Sequence, residues 1–263
     1  MSYISSPFGA TFSLFKTTTD ASTKTQCGQR FVTEDGREVV IVENAAVALP
    51  AGVLVQNSPI VPNHQGLGVV SFKPLDPVTG IPATLVVTLG ATVSNENQYM
   101  GGYVVVVSGT GMGQTLKIEA STPTAASGDM TILLEDNPVV ALDVTSEVDL
   151  IVEPYAGVVL NPTTPTASPA GVTLYAIPAS VLNTYDAITG KLILTGTPVF
   201  GFVVTKGITA CLSDVTVAAA GLGIMPSTTT AGSVTLATAT GATIGSAYVL
   251  GVSAETHAVY INL

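Results

Sequence analysis

The stretch with the strongest suggestion of chemistry is residues 101–120, GGYVVVVSGTGMGQTLKIEA. Its tip, Gly109-Thr110-Gly111-Met112-Gly113, has the glycine density of a loop that wraps a phosphate with backbone amides. A P-loop closes on Gly-Lys-Ser/Thr, so that an ammonium meets the phosphates and a hydroxyl holds magnesium. Here Gly113-Gln114-Thr115 stands in that place, without the lysine. A dinucleotide fingerprint leads from a strand into a helix, whereas residues 114–119 alternate Leu116 and Ile118 with Thr115, Lys117 and Glu119 at strand period. Residues 101–120 therefore read as a β-hairpin, and no cofactor is expected.

The next candidates are carboxylates. Glu119, Asp129, Glu135, Asp136, Asp143, Glu147, Asp149 and Glu153 follow one another with no basic residue after Lys117. Paired carboxylates can hydrolyse a glycosidic bond or hold calcium. The chain has no Trp to make a sugar platform, and the spacing is not that of an EF-hand. Solvated strand faces and turns are the plainer reading. His64 in a Pro-containing loop and His257 beside the last strand-like run are the chain's two histidines, too few for a zinc site, and no Gly-x-Ser-x-Gly elbow accompanies them. Cys211 lies in the apolar run 208–212 and reads as a small buried hydrophobe. Cys27 and Cys211 have no metal-ligand spacing; reduced thiols are expected, with a long-range disulfide as the alternative. No catalytic, cofactor or metal residue is assigned, and the chain is read as a non-enzyme.

The elements that would carry these residues are strands. Val, Thr, Ala, Gly and Pro dominate the 263 residues, long amphipathic periodicity is missing, and turn signals recur about every ten residues. The expected class is all-β: several small antiparallel barrel or sandwich units with an extended N-terminal arm. Asp35-Gly36 between RFVTE and REVVIVE is a hairpin signal. Further strands are expected at 52–56, 67–72, 83–89, 103–107, 171–177, 191–195, 199–205, 208–212, 233–238, 247–252 and 257–263. The organisation read from these is an arm (1–25), a first β domain (26–92), an inserted β unit (93–158), a Pro/Thr-rich connector with a returning strand (159–182) and a C-terminal β domain (183–263). In the arm, Phe8, Phe12 and Phe15 are spaced to share one side of a helical turn and are the candidate interface residues, against a neighbouring subunit or the chain's own body.

Charge sharpens the functional classes. The net charge is −10, and eight Lys plus Arg scattered singly make no basic stripe, so no direct nucleic-acid contact is expected. Residues 1–153 hold 21 of the 26 charges, and none falls within 215–254. A half so poor in charge suits a surface covered by protein in an oligomer or lattice; a surface of Thr, Ser and Asn is the alternative. The most apolar segment, 217–225, is broken by Gly221 and Gly223 and runs into Pro226, so no membrane span is expected. The start MSYISSPFGATFSLFK has no signal-peptide pattern.

Three stretches, in order, cover most of residues 98–263: GGYVVVVSGTGMGQTLKIEAST with the later LLEDNPVVALDVTSEVDLIVEPY, then NPTTPTASPAGVTLYAIPA, then VFGFVVTKGITACL followed by AGSVTLATATGATIGSAYVLGVSAETHAVYINL. In them the chain resembles the head decoration, or cement, proteins of tailed bacteriophages and related virion structural proteins. Where such proteins often carry Tyr and Trp before Gln-Thr-x-Gly, this chain has Phe200, Phe202 and Lys206-Gly207. The resemblance implies a protein made in the host cytoplasm and placed on the capsid surface of the virion. Its partners would be itself, as a homo-oligomer and commonly a homotrimer, and the major capsid protein. Two alternatives stay open. A tail or head-fibre component would be separated by its location on the particle. A virion-borne protein that hydrolyses polysaccharide through Glu135, Asp136, Asp143 or Glu147, or binds glycan through Tyr155 or Tyr185, would be separated by activity or glycan binding.

Overall fold

A computed structural model of the chain describes all residues except 1–2, 6–10, 14–15, 182–183, 187–190, 194–195, 218 and 239–240. The side chains of residues 3–5, 11–13, 21–22, 184–186 and 191–193 also lie outside the description. Strands run along the chain as β1 (Tyr3–Ser5), β2 (Thr11–Ser13), β3 (Arg30–Val32), β4 (Glu38–Asn44) and β5 (Leu54–Gln56), with a 3-10 helix at Ala21–Gln26 before β3. Then come β6 (Leu67–Lys73), β7 (Ala83–Thr88), β8 (Tyr103–Ser108), β9 (Thr115–Ser121), β10 (Asp129–Leu134) and β11 (Glu147–Ile151). The last third holds β12 (Ala156–Leu160), β13 (Pro169–Thr173), β14 (Thr184–Asp186), β15 (Lys191–Ile193), β16 (Phe200–Leu212), β17 (Gly223–Pro226), β18 (Val234–Leu236), β19 (Gly245–Ala247) and β20 (Thr256–Asn262). The fold is all-β, as the composition predicts.

The chain divides into two compact units, one of Met1–Pro59, Pro154–Val181 and Thr197–Leu263, the other of Ile60–Glu153 with Leu182–Gly196. In the second, β10-β7-β6-β11-β8-β9 form a closed six-stranded barrel in which every neighbouring pair is antiparallel. Alternation along the strands fills it: Leu85 and Val87, Val104 and Val106, Leu116 and Ile118, Ile132 and Leu134, Val148 and Leu150 all point inward and are buried. Each such side chain contributes about 1.5–3 kcal/mol by leaving water. At one end, Tyr99 and His64 close the core. Thr92 O can only accept, so His64 Nε2 donates to it at 2.9 Å and Nδ1 accepts from the Tyr99 hydroxyl. Burial pushes that hydroxyl above its ordinary pKa.

In the first unit, β16, β13, β5, β12 and β4 close a five-stranded ring, with β12 parallel to β4 and the other pairs antiparallel. Val40, Val42, Val55, Val158 and Val203 pack together in one core. On β4, Val39 and Ile41 join Phe31, Phe202 and Val204 in another, so the strand is buried on both faces. Beyond the ring, β20, β19, β17 and β18 continue the sheet, and Leu54, Val172, Cys211, Ile224, Val259 and Ile261 form a third core.

The boundaries differ from those expected in four places. β6 and β7, placed by sequence in the first β domain, are staves of the six-stranded barrel, so that unit begins at Ile60 and not at residue 93. A sheet cannot close without the hydrogen-bonding edges that β6 and β7 supply, and turn spacing carries no record of which sheet a strand joins. The Pro/Thr-rich segment is not a connector between domains: β12 and β13 flank β5, and the Gln56 side chain holds the intervening loop by donating to Thr166 Oγ1 (2.9 Å) and accepting from Thr166 N (3.2 Å). The two strands expected at 199–205 and 208–212 are one, β16, because its first half pairs with β4 and its second with β20. The strand expected at 247–252 ends at Ala247; the amides of Tyr248 and Val249 both donate to Ala258 O, which breaks the ladder.

Of the arm's three candidate rings, Phe12 lies in β2 opposite Ile4, in strand conformation instead of the helical turn its spacing suggested. Phe8 and Phe15 lie outside the described residues. From Lys16 onward the chain lies on its own body: Thr18 and Phe200 exchange backbone hydrogen bonds at 3.1 and 2.8 Å, and Tyr175 donates to Lys16 O at 2.7 Å.

Candidate functional site

The glycine tip 109–113 joins β8 to β9, as its hairpin pattern predicts, and two of its amides, with that of Gln114 beside it, are engaged within the hairpin. Met112 N donates to Gly109 O, Gly113 N to Val106 O at 2.8 Å and Gln114 N to Gly111 O. Amides turned onto protein carbonyls cannot ring an anion. Gly109 has φ +74°, and a Cβ there would meet Thr145 O at 1.9 Å, so its bare backbone lets the loop 135–146 approach. That loop is bound to the tip: Gln114 Nε2 donates to Val140 O and its Oε1 accepts from Val140 N, both at 3.0 Å, while Ser146 Oγ donates to Thr110 O at 2.7 Å.

The carboxylates are distributed among local structural tasks. Asp129 accepts from Thr88 Oγ1 across β10 and β7, Glu147 from Ser108 Oγ across β11 and β8, and Asp149 from Gly66 N, at 2.7, 2.7 and 2.8 Å. Asp143 accepts from Thr145 N and Oγ1 at 2.8 and 2.6 Å, and the Thr145 and Thr110 hydroxyls hold its pKa below the usual value. Glu135 and Asp136 are exposed in the 135–146 loop. Glu153 pairs with Lys117 at 3.3 Å; Lys117 also donates to Gly101 O and sits 4.5 Å from the Tyr103 ring centroid. No group of three or more His, Cys, Asp or Glu placed to hold a metal ion occurs among the described residues.

Both histidines are anchors. His64 is described above; His257, nearly buried, has Nε2 2.6 Å from Val252 O and donates to it. Cys27 and Cys211 form no disulfide; Cys211 is fully buried, and burial pushes its thiol up to about 12, the state of an inert core thiol. Of the two tyrosines that a glycan site would display, Tyr155 is half-buried against the five-stranded ring with Arg30 donating to its hydroxyl at 3.4 Å. The Tyr185 side chain lies outside the described residues.

Sequence reasoning missed the segment with the clearest interaction character. Residues 248–252, Tyr-Val-Leu-Gly-Val, leave β19 and present Tyr248, Val249, Leu250 and Val252 to solvent. Their backbone is held from both sides. Gly251 and Val217 exchange hydrogen bonds at 2.9 and 3.2 Å, His257 grips Val252 O, and Ser253 Oγ donates to Asp214 O at 2.7 Å. A Cβ on Gly251 would lie 2.0 Å from the His257 ring, so the loop sits directly on it. The side chains are thus fixed outward, within the 40 uncharged residues 215–254. The absence of charge was the available signal; that this apolar run would lie outside the ladder was not legible.

No helix among the described residues is long and apolar enough to cross a membrane. Comparison with protein-family models, with curated proteins and with solved structures gives no match.

Proposed function

We propose that this chain is a structural protein of a phage particle: a decoration protein that binds the outer surface of the capsid as a homo-oligomer, a trimer by its resemblance, and stabilises the shell. The observation that carries the reading is the 248–252 loop, four large apolar side chains held outward by main-chain hydrogen bonds in a stretch without charge. Such a cluster in water favours being covered, and a surface free of charge is what the centre of a symmetric contact needs. The loop falls inside the last of the blocks that resemble decoration proteins. Shell stabilisation is then binding energy: a protein that binds assembled capsomers and not their separated forms shifts the equilibrium toward the shell.

The test is the mass of the full chain by light scattering, together with its co-sedimentation with empty shells of the major capsid protein from the same particle. Tyr248→Asp with Leu250→Asp is expected to reduce the oligomer to monomer with an unchanged circular dichroism spectrum. A wild-type chain that is monomeric at micromolar concentration, or one that fails to sediment with shells, overturns the reading.

A further inference from the structure

The six-stranded barrel has a second surface of this kind. Because all neighbouring strands are antiparallel, the loops 74–82, 109–114 and 135–146 gather at one end, and the two ends of the segment Ile60–Glu153 lie at the other. The three loops are fastened together: Leu75 N donates to Asn137 Oδ1 at 2.7 Å, and Gln114 holds Val140 through two hydrogen bonds. On this frame Val78 (90% exposed), Met112 (70%), Val139 (96%) and Val144 (74%) stand in water, with Ile81 and Val140 also exposed. Singly exposed valines need no explanation, but six large apolar side chains converging from three separate loops do. The loops themselves contain Asp76, Glu135, Asp136 and Asp143 and no Lys or Arg; Lys73 and Glu147 border them at the ends of β6 and β11.

We propose that this end of the barrel is a docking surface for a different protein, one whose contact face is apolar at its centre and carries Lys or Arg at its rim. A second copy docking by the same end would set carboxylates against carboxylates. Its other faces offer little basic complement, since four of the chain's eight cations, Lys24, Arg37, Lys117 and Lys206, are already paired with its own carboxylates. Resting on the function proposed above, the inference assigns this end to the shell and leaves the 248–252 loop to self-association.

The experiment is quantitative binding of the full chain to empty shells of the major capsid protein, with three variants. Met112→Asp with Val139→Asp alters exposed side chains only and is expected to weaken shell binding at least about tenfold while oligomer mass and melting temperature stay at wild-type values. Glu135→Gln with Asp136→Asn is expected to weaken binding several-fold at low salt and to flatten its dependence on salt, a response that nonspecific apolar adhesion would not give. Tyr248→Asp with Leu250→Asp serves as comparator and changes the oligomer. If wild-type chain binds shells and Met112→Asp with Val139→Asp binds equally well, the docking surface is overturned and the capsid reading stands. If wild-type chain does not bind shells, both fall.

Discussion

Glu43 is the residue whose chemistry is most altered by its place in the fold. It lies on β4 with 5% of its surface exposed, and burial raises its pKa, opposed in part by Lys24 at 3.8 Å. A carboxyl whose folded pKa exceeds its unfolded value binds its proton more tightly in the native state. Its stabilising contribution is complete below the unfolded value and is lost as pH rises through the folded one. Glu43→Gln is therefore expected to match wild type near about pH 4 and to melt a few degrees higher at neutral pH, seen in melting curves across that range. A wild-type advantage at neutral pH would mean that the Lys24 pair outweighs the cost of burial. Cys211 gives a second check at this scale. Its thiol is expected to resist aromatic disulfide reagents until the first unit unfolds; labelling in native protein would contradict its burial.

Two valine runs show how elements gain different meanings from similar residues. In β4 four consecutive apolar residues, Val39 to Val42, are all buried, because the ring lies on one side and Phe31 and Phe202 on the other. In β8 Val104 and Val106 enter the barrel while Val107 faces water. Val106→Asp is expected to cost more than about 4 kcal/mol and to unfold the barrel, whereas Val107→Asp should leave the melting temperature nearly unchanged. The arm divides similarly. Removing residues 1–15 should leave the first unit folded. Removing residues 1–24 should destabilise it, because buried Thr23, the Lys24 pair to Glu43 and the Thr18 bridge to Phe200 go as well. Equal melting temperatures for the two truncations would show that residues 16–24 add nothing to the body.

At the scale of the whole chain, the first unit is interrupted twice, and the longer interruption is Ile60–Glu153. Ser58 N donates to Pro154 O at 2.9 Å, so the two ends of that interruption lie side by side. Replacing residues 60–153 by a short Gly-Ser linker is expected to leave the five-stranded ring intact, with β circular dichroism retained and Cys211 still protected. The same deletion is expected to keep self-association, which the proposed function assigns to the 248–252 loop, and to lose shell binding. Loss of folding on deletion would show that the first unit depends on the second.

The all-β class, the hairpin at 101–120 and most strand positions were legible in the sequence, because pleat period and turn residues are local properties. So was the exclusion of a P-loop, since Gln114-Thr115 stands where Lys-Ser would be needed. What only the tertiary structure decided depends on partners distant in sequence. Which sheet β6 and β7 complete, that β16 runs unbroken between β4 and β20, and that β4 is covered on both faces are matters of edge pairing and burial, which leave no mark on local pattern. The same holds for the exposed apolar residues of 248–252 and of the barrel loops. A valine turned inward and one held outward are the same letter, and only the surrounding hydrogen bonds settle which way it faces.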